Sequence, residues 1–436
     1  MRTIRTQDGN FEPEFRRIKG RGGVLDRGLE AEVRQIIDDV ATRGDDALFE
    51  YIRRFDRLSL DSRSFVVSAD EMQQALEDLD PATRDILETA AGRIEDFHQR
   101  QLVGSWSYGG EDGIELGQLI VPLERVGVYA PGGLASYPST VLMATIPARV
   151  AGVCEIYLAT PSAKGEGVDR LTLAAAGLGG VRCLYRMGGA QAVAAFAYGT
   201  QTVPSVDRVV GPGNAYVAMA KRMVYGAVGI DMIAGPSEVM IVCDGNVDPS
   251  WIAADLIAQA EHDEMASAIL LTPAESFALA VSREVERQLN TLVRGAIARR
   301  AIDEYGAVFI TESLKEAVEI VNRFAPEHLE LVVDRPKDLL KGVRNAGAVF
   351  LGPLTPEAFG DYLAGPNHIL PTGGTARFSS PLGVHDFIKR TNIISFSRSS
   401  FDMYGDKAVA FAELEGLEGH GNSVRVRKGK RKGKKS

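Results

Sequence analysis

The chain has 436 residues, of which 45% are hydrophobic and 25% charged, and this composition is typical of a soluble globular protein of roughly two or three domains. It contains no run of about 18 apolar residues, and its N-terminus has neither a signal-peptide nor a transit-peptide pattern, which predicts a cytosolic protein without membrane segments. The net charge is −9, and because eight Lys/Arg lie between Arg425 and Lys435, the rest of the chain carries −9 − 8 = −17. This acidic body argues against a dedicated nucleic-acid-binding protein, although the basic tail predicts weak attraction to polyanions.

The N-terminal part of the chain predicts helices. The apolar residues of LEAEVRQIIDDVATRG recur at helical spacing, and the closing glycine, Gly44, is expected to end that helix. A second helix is expected from Asp45. A capping box from Ser68 to Glu71 and a proline at Pro81 predict the starts of two more helices.

From residue 125 short apolar runs alternate with helical patterns. RVGVYA, CEIYLAT, VRCLYRM and VDRVVG predict strands, and each is followed by a turn and a predicted helix. Four such βα units predict a compact parallel sheet with helices on its faces. Residues 130–236 are therefore predicted to form an inserted smaller α/β domain.

The alternation continues after residue 236 and predicts a second parallel sheet, with strands at EVMIVCD, ASAILLTP, GAVFITE, PEHLELVV and GAVFLG. The N-terminal helices are expected to pack on this sheet, so residues 1–129 and 237–380 are predicted to form a larger domain. Residues 381–425 predict an irregular helical segment, and residues 426–436 predict a disordered basic tail. The predicted fold class is α/β with two parallel sheets.

Three glycine-rich turns follow strands of the smaller domain: YAPGG from Tyr129 to Gly133, MGGAQ ending at Gln191, and GPGN ending at Asn214. Ligands of open parallel sheets bind where the carboxyl ends of strands lead into helices, and glycine lets a phosphate approach the backbone. None of the turns matches the G-x-G-x-x-G fingerprint of dinucleotide-binding folds. They fit either ordinary chain reversals or a nucleotide site.

The helix predicted over PSWIAADLIAQAEHDE places Asp255, Gln259 and His262 on one face. A polar stripe ending in histidine is typical of a helix C-terminus, where imidazolium interacts favourably with the helix dipole. Gln259 and His262 are also able to bind one metal ion, but two ligands do not make a site. Further candidate ligands lie in distant segments: Asp361 and His368, Glu415 and His420, and, in ordinary helical patterns, His98 and His385. The residues alone do not choose among these sets.

The stretch RFAPEHLELVV places a carboxylate beside an imidazole, behind a proline. Pro326 suits the first position of a helix, which predicts Glu327 and His328 in its first turn. There the helix dipole favours carboxylate and disfavours imidazolium, so both groups are expected to be bases near neutral pH. One interpretation is an ordinary acidic first turn with a packed histidine. The other is a pair of proton acceptors, one for an alcohol and one for water.

Six stretches resemble the histidinol dehydrogenase family, from about residue 30 to 425: RFAPEHLEL, DLIAQAEHD, AGPSEVMIV, GPGNAYV, FGDYLAGPNHILPTGGTARFSSPLGVHDF and EGLEGH. The resemblance implies oxidation of L-histidinol to L-histidinaldehyde and then to L-histidine, the last steps of histidine biosynthesis, with two NAD+ and one zinc ion per active site. It also implies two incomplete Rossmann-like domains in an aldehyde dehydrogenase-like arrangement with small terminal segments. The implied assembly is a homodimer with shared active sites, in which the C-terminal segment reaches the partner.

The resemblance also implies roles for individual residues. The implied zinc ligands are Gln259, His262, Asp361 and His420. The implied substrate contacts are these four zinc ligands together with Ser237, His328 and Glu415. The implied NAD contacts are Tyr129, Gln191 and Asn214. His328 would take the alcohol proton, and Glu327 would activate water on the aldehyde. Zinc would orient the substrate by its imidazole and amino nitrogens. Glu415 and His420 would be donated across the dimer interface.

Two features depart from the family pattern, and four other functions are compatible with parts of the sequence. His385 stands where an aromatic residue is expected, and the basic tail has no role in the family pattern. A relative within the family would oxidise another primary alcohol, and a zinc hydrolase would act without NAD+. A polyanion-binding protein would depend on the tail. An aldehyde dehydrogenase with a nucleophilic cysteine would depend on Cys154, Cys183 or Cys243.

Overall fold

The structure is a computed structural model that describes residues 1–21, 27–132, 137–162, 167–292 and 295–428. Within them the strands are β1 (Arg2–Arg5), β2 (Val66–Ser68), β3 (Trp106–Gly109), β4 (Ile114–Pro122), β5 (Arg125–Tyr129), β6 (Glu155–Thr160), β7 (Cys183–Arg186), β8 (Arg208–Val210), β9 (Gly229–Ile230), β10 (Glu238–Cys243), β11 (Ser267–Thr272), β12 (Ala307–Ile310), β13 (His328–Val332), β14 (Ala348–Leu351) and β15 (Ile388–Phe396). The α-helices are α1 (Phe11–Lys19), α2 (Arg27–Arg43), α3 (Asp45–Tyr51), α4 (Ala69–Glu77), α5 (Pro81–Gln99), α6 (Pro138–Ala151), α7 (Arg170–Leu178), α8 (Gly189–Tyr198), α9 (Ala215–Val224), α10 (Pro249–Ala260), α11 (Glu275–Leu289), α12 (Gly295–Tyr305), α13 (Leu314–Phe324), α14 (Pro336–Leu340), α15 (Glu357–Tyr362), α16 (Arg398–Leu414) and α17 (Glu418–Lys428).

The larger sheet has the strand order β1-β12-β11-β10-β13-β14, and every neighbouring pair is parallel. Its central strands β10 and β11 are buried along their whole length. Helices α10, α11 and α12 cover one face, and α1 and α13 cover the other. A strand covered on both faces needs a continuous apolar run, and such runs predicted this sheet correctly.

The smaller sheet has the strand order β2-β7-β6-β5-β8-β9. Its strands are parallel, except that β2 runs antiparallel to β7. The strands β5, β6, β7 and β8 are followed in turn by α6, α7, α8 and α9, so the four predicted βα units are confirmed.

The N-terminal helices pack on the smaller sheet, so the prediction that they cover the larger one is wrong. Apolar residues of α2 and α3 lie in one cluster with those of α8, whereas α4 and α5 lie in another with α6 and α7. The reason is β2, which pairs with β7 and brings the helices before and after it onto the two faces of this sheet. A strand of three residues leaves too short a pattern to recognise in the sequence. Of the N-terminal elements, β1 and α1 join the larger sheet.

Several predicted helix boundaries are confirmed. Gly44, with a φ of 59°, separates α2 from α3. Ser68 and Glu71 form the capping box of α4, and Pro81 is the first residue of α5. Among the described residues no helix has the length and apolar character that a membrane span requires.

Residues 103–122 and the chain from residue 388 onwards form a separate second unit. Its sheet is antiparallel in the order β15-β4-β3, and α16 and α17 follow β15. The sequence predicted only an irregular helical segment here, because each residue of β15 pairs far away in the chain: Asn392 lies opposite Gln118, 274 residues earlier. Helix α17 extends to Lys428, so the first residues of the predicted disordered tail are helical, and residues 429–436 lie outside the described residues.

Candidate active site

Glu327 and His328 lie at the start of a strand, so the helix predicted from Pro326 is wrong. Helix α13 ends at Phe324, Ala325 adopts a left-handed conformation with a φ of 59°, and the chain then enters β13 at His328. The run HLELV forms a strand because it fits between β10 and β14, where all five residues are buried. Burial, rather than a helix dipole, therefore controls the protonation of both side chains.

This candidate site lies at the amino ends of β10 and β13. These two strands flank the point at which the larger sheet reverses its strand order, because β11 and β12 follow on one side of β10 and β13 on the other. Glu238 begins β10 and His328 begins β13. These side chains therefore lie at the opposite edge of the larger sheet from the carboxyl ends of its strands, where ligands of open parallel sheets are expected.

His328 has its two ring nitrogens in different surroundings. Nδ1 lies 3.1 Å from the backbone carbonyl oxygen of Glu238, so the ring donates its Nδ1–H there. Nε2 is buried and has no hydrogen-bond partner among the described residues. Burial lowers the pKa of His328 to about 4, so the imidazole is neutral above that pH. A neutral imidazole with this tautomer presents a lone pair on Nε2 to a proton donor.

The Glu327 carboxyl group is fixed by the backbone of Glu238. The Glu238 N–H donates to Oε2 of Glu327 at 2.9 Å, and the Glu327 N–H donates to Oε2 of Glu238 at 3.3 Å. Glu238 in turn forms a buried ion pair of 3.1 Å with Arg21. Burial, followed by the negative charge of Glu238, raises the pKa of Glu327 well above its usual value. Ionised Glu327 is therefore a stronger proton acceptor than an exposed glutamate.

His262, Glu357 and Asp361 form a cluster of metal-binding type, in which one ligand atom from each lies within 4.8 Å of the others. Burial, followed by repulsion from Asp361 and other nearby carboxylates, raises the pKa of Glu357 well above its usual value. A divalent cation stabilises carboxylates that are crowded in this way, and imidazole with carboxylate is a donor set that zinc accepts. The residues present therefore fit a zinc ion.

Gln259 lies between the metal-binding cluster and His328, and its side chain is buried. Its carboxamide nitrogen is 3.0 Å from Oε1 of Glu357 and 3.2 Å from the carbonyl oxygen of Glu238, and both of these atoms are acceptors. The Nδ1–H of His328 donates to the same Glu238 carbonyl oxygen, so Gln259 and His328 share this acceptor beside the metal-binding cluster.

The predicted polar face of α10 is only partly correct. The helix ends at Ala260, so His262 lies two residues beyond it and is exposed. Asp255 is hydrogen-bonded to Glu330 of β13, and burial raises its pKa to about 6. Helical spacing alone did not predict this partner from another strand.

The remaining histidines outside the second unit are His368, His98 and His385. Nδ1 of His368 lies 3.0 Å from the backbone carbonyl oxygen of Asp361, next to the metal-binding cluster. His98 is buried in α5, with Nδ1 2.7 Å from the carbonyl oxygen of Ile94. His385 is exposed in a short 3-10 helix.

The glycine-rich turns lie at the carboxyl ends of strands in the smaller sheet, which reverses its strand order between β5 and β8. The Tyr129 hydroxyl accepts a hydrogen bond of 3.2 Å from the N–H of Gly189, which brings the first two turns together. Gln191 is buried in the first turn of α8. Asn214 caps α9 and accepts from two of its N–H groups. Gly133 lies outside the described residues. At this reversal of strand order the turn after β8 leads into a helix N-terminus, an arrangement at which open α/β sheets bind nucleotides.

A model of the histidinol dehydrogenase family matches residues 21–428 of the chain. The chain belongs to this family. The histidinol dehydrogenases of Geobacter metallireducens and Geobacter sulfurreducens are 54% and 53% identical to it over 428 residues, which cover 98% of this chain and 98% and 100% of those proteins. A crystal structure of histidinol dehydrogenase from Elizabethkingia anophelis matches with a TM-score of 0.91 at 34% identity, and the match covers 98% of both chains.

Members of the histidinol dehydrogenase family depend on NAD and bind zinc, and the metal-binding cluster agrees with the zinc requirement. Three residues of the candidate site were not predicted from the sequence: Arg21, Glu238 and Glu357. Glu238 and Glu357 gave a weak signal, because each acid directly precedes apolar residues: Glu238 precedes VMIV in AGPSEVMIV, and Glu357 precedes AF in PEAFGDY. Arg21 gave none, because its partner lies 217 residues away.

The other implied contacts of the histidinol dehydrogenase family fall in two places. Ser237 directly precedes β10, and its carbonyl oxygen accepts from Arg21 at 3.1 Å. Glu415 follows α16 and His420 lies in the first turn of α17, and both are exposed residues of the second unit.

Proposed function

We propose that this chain oxidises L-histidinol to L-histidine with two NAD+, and that the cluster around His328 performs both steps. In the first step the alcohol loses a hydride and a proton to give the aldehyde. In the second step water adds to the aldehyde, and the hydrate loses a hydride and a proton to give the carboxylic acid. The buried Nε2 of His328, which has no hydrogen-bond partner among the described residues, carries this proposal. His328 lies next to Glu327 in sequence, and the Glu238 carbonyl oxygen that accepts its Nδ1–H also accepts from Gln259, which bonds to the metal-binding cluster.

His328 is assigned as the acceptor of the alcohol proton. The Glu238 carbonyl binds Nδ1–H and so selects the tautomer with its lone pair on Nε2. Because the pKa of His328 is lowered to about 4, the ring is in its accepting form at neutral pH. NAD+ bound at the turns that contain Tyr129, Gln191 and Asn214 supplies the acceptor for the hydride.

Glu327 is assigned as the acceptor of the water proton in the second step. Its Oε2 is fixed by the Glu238 N–H, which leaves the second carboxylate oxygen for water. The raised pKa of Glu327 strengthens it as a base in its ionised form. Two proton acceptors with oppositely shifted pKa values suit two successive deprotonations.

We assign His262 and Asp361 as zinc ligands, together with Gln259 and with His420 of the partner subunit. Zinc, when bound, orients the substrate through its imidazole and amino nitrogens. Glu357 completes the cluster with His262 and Asp361, and its carboxylate accepts a hydrogen bond from the Gln259 amide nitrogen. It is therefore a fifth residue on which metal binding depends.

Replacing Glu357 by glutamine is expected to weaken zinc binding by about 10- to 100-fold, because it removes a negative charge from the donor set. Competition with a chromophoric chelator measures the change. Asp56→Asn is the matched control, since Asp56 is another carboxyl group whose pKa burial raises, and it lies in the segment after α3 rather than in the metal-binding cluster. Native zinc affinity in the Glu357→Gln protein would exclude Glu357 from the metal site.

We propose that the active protein is a homodimer in which the second unit completes the partner's site with Glu415 and His420. This unit leaves large apolar side chains in solvent, including Ile394 at 70% and Leu414 at 87% exposure. Its sheet has three strands, and a small sheet with exposed apolar side chains needs a further surface to cover it. A second copy of the chain is the partner that meets this need in a closed symmetric assembly.

Mixing two inactive variants, His328→Asn and His420→Asn, tests this sharing of sites. If His420 acts across the interface, each mixed dimer contains one site with both native histidines, and random exchange restores about a quarter of native activity. Subunits are exchanged by mild denaturation and refolding, and each variant refolded alone is the control. If His420 acts within its own subunit, no mixture regains activity.

The reaction itself is tested by NADH formation with L-histidinol and with other small primary alcohols at matched concentrations. L-Histidinol is expected to give the highest kcat/KM. Product formed without NAD+ would indicate a hydrolase, and a higher kcat/KM for another alcohol would assign a different substrate.

A further inference from the structure

A buried ion pair, Lys221 with Asp231, lies beneath the GPGN turn. Lys221 belongs to α9, and Asp231 directly follows β9. Their side chains are 3% and 1% exposed. Burying two charges costs more free energy than their attraction returns unless further hydrogen bonds satisfy them, so the other partners of this pair are informative.

Both members of the pair bind the backbone of Gly211, the first residue of the turn. Nζ of Lys221 donates to the Gly211 carbonyl oxygen at 2.9 Å, and Oδ2 of Asp231 accepts from the Gly211 N–H at 2.8 Å. Gly211 has a φ of 110°, and a Cβ there would lie 2.0 Å from the carbonyl oxygen of Tyr129. The ion pair therefore fixes Gly211 directly against the end of β5.

The same pair connects this turn to the chain that leads into the candidate active site. Oδ1 of Asp231 accepts from the N–H of Met232 at 2.6 Å. Three residues later the Gly235 N–H donates to the Thr372 hydroxyl at 2.5 Å, and the segment then enters β10 at Glu238. One buried pair thus holds both the turn after β8 and the start of the connection to the larger sheet.

We infer that Lys221 and Asp231 are positioning residues for the nicotinamide cofactor: they set the turn from Gly211 to Asn214 against Tyr129. This inference rests on the proposed function, which places NAD+ at these turns. Both side chains are buried beneath the turn, so they act through Gly211 rather than by touching the cofactor. Their loss is expected to weaken cofactor binding and to leave L-histidinol binding unchanged.

The double variant Lys221→Met/Asp231→Asn tests the inference, because removing both charges avoids leaving one buried and unpaired. The Kd of NADH, measured by fluorescence titration of the zinc-loaded protein, is expected to rise about tenfold, as for the loss of one or two ordinary hydrogen bonds. KM for NAD+ is expected to rise equally in both oxidation steps, whereas KM for L-histidinol and kcat stay within about twofold. If the double variant does not fold, Lys221→Arg is measured in the same way with the same expectation, because it keeps both charges of the pair but changes the contact with the Gly211 carbonyl oxygen.

Arg125→Met is the matched control. It removes the 3.0 Å ion pair of Arg125 with Glu155 at the amino ends of β5 and β6, in the same sheet but at the opposite edge from the turn, and its Kd for NADH is expected to stay native. Asn214→Ala separates a failure of the positioning role from a failure of the proposed cofactor site. Weaker NADH binding in Asn214→Ala with native binding in the Lys221 variants overturns the positioning role alone. Native binding in Asn214→Ala as well contradicts the proposed cofactor site itself.

Discussion

Replacing His328 by asparagine is expected to slow the first oxidation, L-histidinol to L-histidinaldehyde, by about 10²- to 10⁴-fold, the usual loss when a general base is removed. Asparagine keeps an N–H for the Glu238 carbonyl, which Nδ1 of His328 meets at 3.1 Å, but it has no lone pair in the place of Nε2. The backbone arrangement is therefore expected to stay while the alcohol loses its proton acceptor. Single-turnover formation of NADH from L-histidinol measures the effect.

The matched control for this variant is His98→Asn. His98 is also a buried histidine of the same unit whose Nδ1 meets a backbone carbonyl and whose Nε2 has no hydrogen-bond partner among the described residues, but it lies in α5. Its replacement is expected to leave the first oxidation unchanged. A His328→Asn protein that forms NADH at the native single-turnover rate would remove His328 from the first step.

Replacing Glu327 by glutamine is expected to slow the conversion of supplied L-histidinaldehyde by about 10²- to 10⁴-fold and to leave most of the first oxidation. The glutamine oxygen still accepts the Glu238 N–H, which meets Oε2 of Glu327 at 2.9 Å, so the strand ends stay in place. The first oxidation in the same protein serves as the internal control. Equal losses in both steps would contradict the division of labour between Glu327 and His328.

The pH dependence of the native second step gives an independent test of Glu327. The base form of a carboxyl group is present above its pKa, and burial with the Glu238 charge raises the pKa of Glu327 well above its usual value. The rate of aldehyde conversion is therefore expected to rise with pH on a limb that lies above the ordinary glutamate value of 4.5. This limb is expected to disappear in Glu327→Gln.

The regular parts of the fold could be predicted because their patterns are local. A βα unit shows its strand, turn and helix within about 30 residues, and the four units after residue 125 are all present. The errors concern elements whose partners are distant in sequence. β2 has three residues and pairs with β7, and β15 pairs with β4. Neither pairing leaves a local signal.

The candidate site could be predicted only where a side chain belonged to a recognisable motif. Glu327 and His328 were identified as adjacent bases, but their setting was wrong, because tertiary pairing with β10 and β14 outweighed the proline as a helix start. Arg21 gave no signal in the sequence and Glu238 only a weak one, because a buried acid and its distant cation have no characteristic spacing. The contacts of the Glu238 backbone with both proton acceptors depend on the pairing of β10 with β13 and are seen only in the folded chain.

The most direct test of the account is the number of NADH molecules formed per L-histidinol consumed by the zinc-loaded protein, before and after a chelator removes the metal. Both oxidations at one cluster predict two NADH per L-histidinol, with L-histidine as the product, and little turnover after chelation. One NADH per L-histidinol with accumulating aldehyde, or full turnover in the chelated protein, would contradict it.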